Sequence, residues 1–206
     1  MNRLFALLFS LLLAVPVWAA DSVTPEVHVK NMTNAVLDII KNDQELQANG
    51  STKAAIAQID AKVLQPNFDF KHMTSLSMGK EWRKATPAQQ QLLVEEFKTL
   101  LVRTYSNALT VYKTPTVKIK PARYQPADVE VQIRTQVLQP GIKPVDIDYT
   151  LEKGDNGWKV FDVVVAGVSL VTNYRDFFAQ EVRKGGIEGA IKSLEVKNQN
   201  PAPAKP

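Results

Sequence analysis

The chain has no cysteine among its 206 residues. That excludes disulfides, thiol nucleophiles and zinc–thiolate sites. Histidine is almost as scarce, with His28 and His72 alone. Neither has a companion at the i, i+4 spacing of a helical metal site, so surface or packing roles are expected for both and no metal site or cofactor is expected. Neither a Gly-x-Ser-x-Gly elbow nor a glycine-rich phosphate loop occurs. The net charge of +4 is mild, and no run of five or six like charges appears, which argues against nucleic acid as a partner. No internal repeat is present.

Only one apolar run is long enough to suggest targeting. Arg3 precedes Leu4 to Val15, which Ser10 alone interrupts, and Pro16 ends the run. Val17-Trp18-Ala19 then places small residues where a signal peptidase reads, so residues 1–19 read as a cleaved signal peptide. The run is about twelve residues against the ~20 that a spanning helix needs. A bacterial protein exported from the cytoplasm is the expectation.

The first half of the remaining chain is patterned for helices. Thr24-Pro25 is a cap followed by proline at the first helical position, ahead of a stripe through Val27, Met32, Val36 and Ile40. Ser51 is read as the cap of a second helix that Pro66 stops, and a short segment from Phe68 ends at Gly79. Thr86 with Gln89 forms a capping box for the longest helix, Pro87 to about Tyr112.

After Pro115 the period changes to two. Val129, Val131, Ile133 and Val137 alternate with polar residues, as do Val145, Ile147, Tyr149 and Leu151. Pro140-Gly141 and Asp155-Asn156-Gly157 mark turns. Trp158 to Val165 reads as a strand apolar on both faces, hence covered on both. Ser169 caps a helix, Gly185-Gly186 divides it from another, and residues 198–206 read as a disordered tail. The expectation is one α+β domain over residues 20–197, with an antiparallel twisted sheet of four to five strands spanning 116–165 and helices packed on it. Asp162, the single acid in the most apolar strand, keeps an enzyme reading alive. Pairing with arginine or with backbone amides is its commoner role.

Several stretches together resemble the toluene-tolerance family, the periplasmic phospholipid-binding component of the Mla (maintenance of lipid asymmetry) pathway. They are Phe70-Lys71-His72-Met73, the run from Trp82 through Ala85-Thr86-Pro87 to Gln90, the run from Gly157 through Ala166-Gly167-Val168-Ser169, Asn173-Tyr174-Arg175, and Gly185-Gly186-Ile187-Glu188-Gly189. The resemblance implies a periplasmic, non-enzymatic shuttle for diacyl phospholipid. Its partners would be an inner-membrane ABC transporter with its substrate-binding subunit and an outer-membrane lipoprotein–porin complex. Two acyl tails hold about thirty methylenes, worth roughly 24 kcal/mol out of water. Such a lipid does not cross an aqueous gap alone, and a protein holding it far more tightly than a bilayer would never release it. An enclosed apolar cavity with few polar hooks is therefore expected, the lipid being cargo and not a cofactor.

The expected cavity wall is Phe97, Leu101, Tyr105, Val131, Ile133, Tyr149, Leu151, Val163, Val165, Val168 and Leu170, with Val168 the sharpest choice because Gly167 lets the backbone turn there. Lys80, Arg83, Lys84, Arg134 and Arg175 are candidate docking contacts for the membrane partners. Ser169 is expected to be a structural cap and not a phosphate site. The alternative to a carrier is an adaptor with a solid core. A monomer is expected.

Overall fold

The computed structural model of the chain describes residues 23–50, 52–106 and 114–199. The expected signal peptide lies outside the described residues, as do Ser51, residues 107–112 of the expected long helix, and residues 200–206.

The helical half begins with α1, Pro25–Asn42, and α2, Gln44–Asn49. Thr24 caps α1 as its sequence predicts, its Oγ1 accepting from the Val27 amide. Asp43 ends α1 and caps α2 through its carboxylate, which accepts from the Leu46 amide at 2.8 Å. Helix α3, Lys53–Ile59, continues through a π-helical segment, Asp60–Leu64, and a last turn, Gln65–Asn67. Pro66 thus sits inside the final turn instead of stopping the helix before it. Helix α4, Phe70–Met78, is capped by Asp69 and ends at Gly79, and a 3-10 segment, Gly79–Lys84, leads to α5, Pro87–Ser106. The capping box of α5 is reciprocal: Thr86 N–H donates to Gln89 Oε1 at 2.9 Å, and Gln89 N–H donates to Thr86 Oγ1 at 3.3 Å.

Five antiparallel strands follow in sequential order: β1 Thr116–Ile119, β2 Glu130–Gln139, β3 Ile142–Gly154, β4 Gly157–Val165 and β5 Val168–Ser169. Val129, expected in β2, lies just outside it and is exposed. The last helix, α6, is Leu170–Gln199, with non-helical backbone at Gly185 and Gly186, where the sequence predicts the break. Gly186 has φ 67 and ψ −164, a conformation open to glycine alone. The helix outruns the expected tail boundary. Asn198 is buried, and its side-chain amide donates to the Glu96 backbone oxygen and carboxylate on α5.

One sheet face is buried. Helix α1 leans on β1 and β2, α4 and α6 lean on β4, and α5 packs on α6 and α4. Strand β4 corrects an expectation. Thr150 pairs with Asp162 and Leu151 with Val160, so Phe161 is left over as a bulge. Val160 lies opposite Leu151 and Val163 opposite Tyr149, and residues 149 and 151 share a face. Val160 and Val163 therefore also share one, despite their odd spacing. A reset of the alternation, and not cover on both faces, accounts for the apolar run. The exposed edge of β4 is closed by β5 at one end and by a parallel bridge from Phe68 to Val160 at the other.

Candidate functional site

The strand register arranges the buried face in four cross-strand rows. The first is Val131–Leu151–Val160 and the second Ile133–Tyr149–Val163. The third crosses all five strands as Ile119–Thr135–Ile147–Val165–Val168, and the fourth is Val117–Val137–Val145. With two residues of strand per row, first to fourth spans roughly 20 Å. The first row is sealed, its three residues at most 5% exposed. In the third and fourth rows every apolar residue retains accessible surface, and Val168 reaches 52%. Thr135 is the exception, fully buried with its hydroxyl donating to the Ile147 carbonyl at 2.6 Å.

Seven of the residues that the sequence singles out thus meet on one face: Val131, Ile133, Tyr149, Leu151, Val163, Val165 and Val168. Val168 lies at its accessible end, opposite Val165. Ile119, Val137, Val145 and Ile147 belong to the same face and were not singled out, although the alternation of β2 and β3 puts the last three there.

The helical wall is aromatic. Phe97 and Leu101 on α5 are buried. The Phe97 ring stands edge-on to Tyr174 at 5.0 Å and to Phe178 at 5.2 Å, which clamps α5 to α6. Leu170 is buried at the start of α6, and Tyr105 is half-buried near the end of α5. Burial raises the phenols of Tyr105, Tyr174 and Tyr149, the last to about 12. Tyr149 is nevertheless only half-buried.

The accessible end is built on a tight turn. Ala166 and Gly167 join β4 to β5 with φ 49 and φ 87, the two-residue pattern that suits paired strands. Ala166 is the only described non-glycine residue with positive φ. Ser169 then caps α6, its Oγ accepting from the Thr172 amide at 3.0 Å and donating to Asp162 Oδ2 at 2.6 Å. The other oxygen of Asp162 accepts from the Val163 and Val171 amides at 2.8 and 3.1 Å. Asp162 is thus a knot between β4 and α6, holding backbone amides and a cap in place of an arginine.

The remaining candidates for chemistry are also occupied. Ser77-Met78-Gly79-Lys80 has Ser-x-x-Lys spacing. Ser77 is buried with its hydroxyl directed at the Met73 and Val171 carbonyls, while Lys80 is exposed. The His72 ring stacks on Phe161 at 4.7 Å, and its Nδ1 lies 3.0 Å from Glu152. Burial, with a smaller push from Lys159, lowers the pKa of His28. Among the described residues no group of three or more His, Cys, Asp or Glu is placed to hold a metal ion, and no helix is long and apolar enough to cross a membrane.

The five basic candidates are all exposed but are not gathered. Lys80, Arg83 and Lys84 share the 3-10 segment, where Lys84 pairs with Glu81 at 2.8 Å, and Arg175 is on α6. Arg134 stands on the other, polar face of the sheet, opposite Asp148.

Comparison with known proteins places this face in context. The family model described as MlaC protein matches residues 30–196. A toluene tolerance protein of Pseudomonas putida, ttg2D, is 30% identical over 181 residues, covering 87% of this chain and 82% of its own. The intermembrane phospholipid transport system binding protein MlaC of Haemophilus influenzae is 23% identical over 167 residues, covering 80% and 77%. A solved phospholipid-binding protein from Ralstonia solanacearum, in complex with a phospholipid, superposes with a TM-score of 0.79 at 37% identity, covering 87% of this chain and 98% of its own.

Proposed function

Because the chain belongs to the MlaC protein family, we propose that it is a periplasmic phospholipid carrier. Residues 1–19 are its signal peptide and residues 20–197 one lipid-binding domain. The acyl tails lie in a cavity between the sheet and α5 and α6, against the eleven residues singled out above. The observation that supports this reading is the five-strand row from Ile119 to Val168, whose four apolar members all remain partly accessible on the otherwise buried face. A phospholipid complex in the related Ralstonia protein supports it. The occupied state of Asp162, whose two oxygens are taken up by structural bonds, favours a carrier over an enzyme.

Lipid held this way leaves its headgroup outside, where a membrane complex can take it. The carrier exchanges lipid with the substrate-binding subunit of an inner-membrane ABC transporter and with an outer-membrane lipoprotein–porin complex, and acts as a monomer. Lys80, Arg83, Lys84 and Arg175 on the helical side, with Arg134 on the sheet, steer docking through charge. The mature protein, purified without detergent and extracted with organic solvent, should yield stoichiometric phospholipid by mass spectrometry. A lipid-free extract would remove the carrier reading and favour an adaptor. Charge reversal of the basic residues together should slow lipid exchange with membranes, and high salt should mimic it.

A further inference from the structure

The two ends of the sheet differ in charge as well as in burial. At the accessible end, the chain from Val137 to Val145 makes the β2–β3 turn and holds Lys143 as its single charge. The chain from Val163 to Tyr174 makes the β4–β5 turn and holds no charge at all. The register brings Lys118 of β1 to this end, in line with Gln136 and Asp146. Lys120, two residues on, has its Nζ 2.8 Å from Asp146 Oδ1. Three lysines thus meet one aspartate, which is already paired. Lys118, Lys143, Pro140, Gly141 and Val168 are exposed, the last at 52%.

The opposite end is the reverse. The β3–β4 hairpin and the chain entering β2 carry Asp128, Glu130, Glu152 and Asp155 against Lys153 and Lys159. Lys159 is turned back to donate to the Pro66 carbonyl. The exposed Val129 stands between two acids. The sheet therefore runs from an acidic, sealed end to a basic, accessible one.

An anionic surface attracts the basic end and repels the acidic one, so it turns the accessible row towards itself. Exposed apolar side chains with no acid beside them are favourably buried at such a surface. Acyl tails are costly to expose to water, and contact at this end lets them pass between bilayer and sheet without crossing it.

We propose that the end of the sheet formed by the β2–β3 and β4–β5 turns docks directly on an anionic phospholipid bilayer, with Ile142 and Val168 at the contact and Lys118 and Lys143 over the headgroups. This rests on the carrier reading and goes beyond it by naming the surface that meets the membrane and the lipid charge it requires. It is separate from Lys80, Arg83 and Lys84, which stand on the helical side.

The absence of cysteine allows a single label at a chosen site. Mature protein carrying a polarity-sensitive fluorophore at Pro140→Cys, on the β2–β3 turn, is compared with protein labelled at Asn156→Cys, on the β3–β4 turn. With vesicles of mixed phosphatidylglycerol and phosphatidylcholine, emission should shift to the blue at residue 140 and stay unchanged at residue 156. Vesicles of phosphatidylcholine alone should shift neither. Lys118→Glu combined with Lys143→Glu should weaken vesicle binding about 25-fold or more, each lysine at an anionic surface being worth about fivefold. Both residues are exposed, so the melting temperature should stay close to wild type. Equal shifts at both labels, a shift with phosphatidylcholine alone, or undiminished binding by the double variant overturns the proposal. So does the absence of any shift, which would leave a protein as the partner of this end. A lipid-free organic extract of the mature protein would instead overturn the carrier reading itself.

Discussion

The two ends of the buried sheet face are made of the same residue types and behave differently. At the sealed end, Val131, Leu151 and Val160 have at most 5% of their surface exposed. At the other end, Val137, Val145, Ile147 and Val165 are equally apolar and equally placed by register, yet remain partly accessible. Composition does not separate them, because the linings of cores and cavities draw on the same side chains. The elements at the two ends of β4 differ. Helix α4 and the Phe68 bridge close over the start of β4, while the end of β4 runs out into the strained Ala166–Gly167 turn.

The widest difference should appear on truncation. Leu151→Ala removes a fully buried side chain and should cost about 2–5 kcal/mol in urea unfolding of the lipid-free protein. Ile147→Ala, at the accessible end, should cost less than half as much and weaken lipid retention instead. Equal costs at the two sites would erase the distinction between the ends.

A charge at the accessible end should separate folding from lipid holding. Val168→Glu alters an exposed residue, so its melting temperature should stay close to wild type. A carboxylate set against lipid tails is costly to desolvate, and lipid retention should fall about a hundredfold, equivalent to ~2.7 kcal/mol. A Val168→Glu protein that keeps its lipid through purification would remove Val168 from the lipid-holding face.

Alkaline titration probes the boundary between the ends. The Tyr149 phenol is raised to about 12 by burial, so above the ordinary value near 10 the unfolded chain releases a proton that the folded chain retains. Stability is therefore complete below pH 10 and is lost as pH rises from 10 toward 12, by at most about 2.7 kcal/mol for this residue. Tyr149→Phe should remove that part of the alkaline slope and leave the smaller shares of Tyr105 and Tyr174, whose phenols are also raised. An unchanged slope in the variant would place the Tyr149 hydroxyl in water.

Local chemistry was readable wherever it is written in adjacent residues. The Thr24 cap, the Thr86–Gln89 box, the Asp155–Asn156 turn and the Gly185–Gly186 break stand where the sequence puts them. Alternation in β2 and β3 located their buried face. The bulge at Phe161 was not readable, because one unpaired residue mimics a strand apolar on both sides and only the partner's register reveals it. For the same reason the odd-numbered Val163 and Val165 seemed to oppose Val160. Nor could the grading of the face from sealed to accessible be foreseen, since it depends on tertiary packing that the alternation of a strand does not encode.

The smallest effect expected is at the turn that ends the accessible half. Ser169 satisfies one α6 amide at Thr172 and donates to Asp162, which in turn holds the Val163 and Val171 amides. The hydroxyl is spent on the fold. A helix end attracts phosphate through free amides, and here the Thr172 and Val171 amides are already bonded. Arg175, six residues on, lies ~9 Å further along the axis. Ser169→Ala should therefore cost about 1 kcal/mol, the ordinary loss of a cap, and the Asp162 bonds to backbone should keep the turn in place. The proportions of phosphatidylethanolamine, phosphatidylglycerol and cardiolipin recovered with the protein should not change. A shifted lipid profile at unchanged stability would mean that this helix end reads the headgroup.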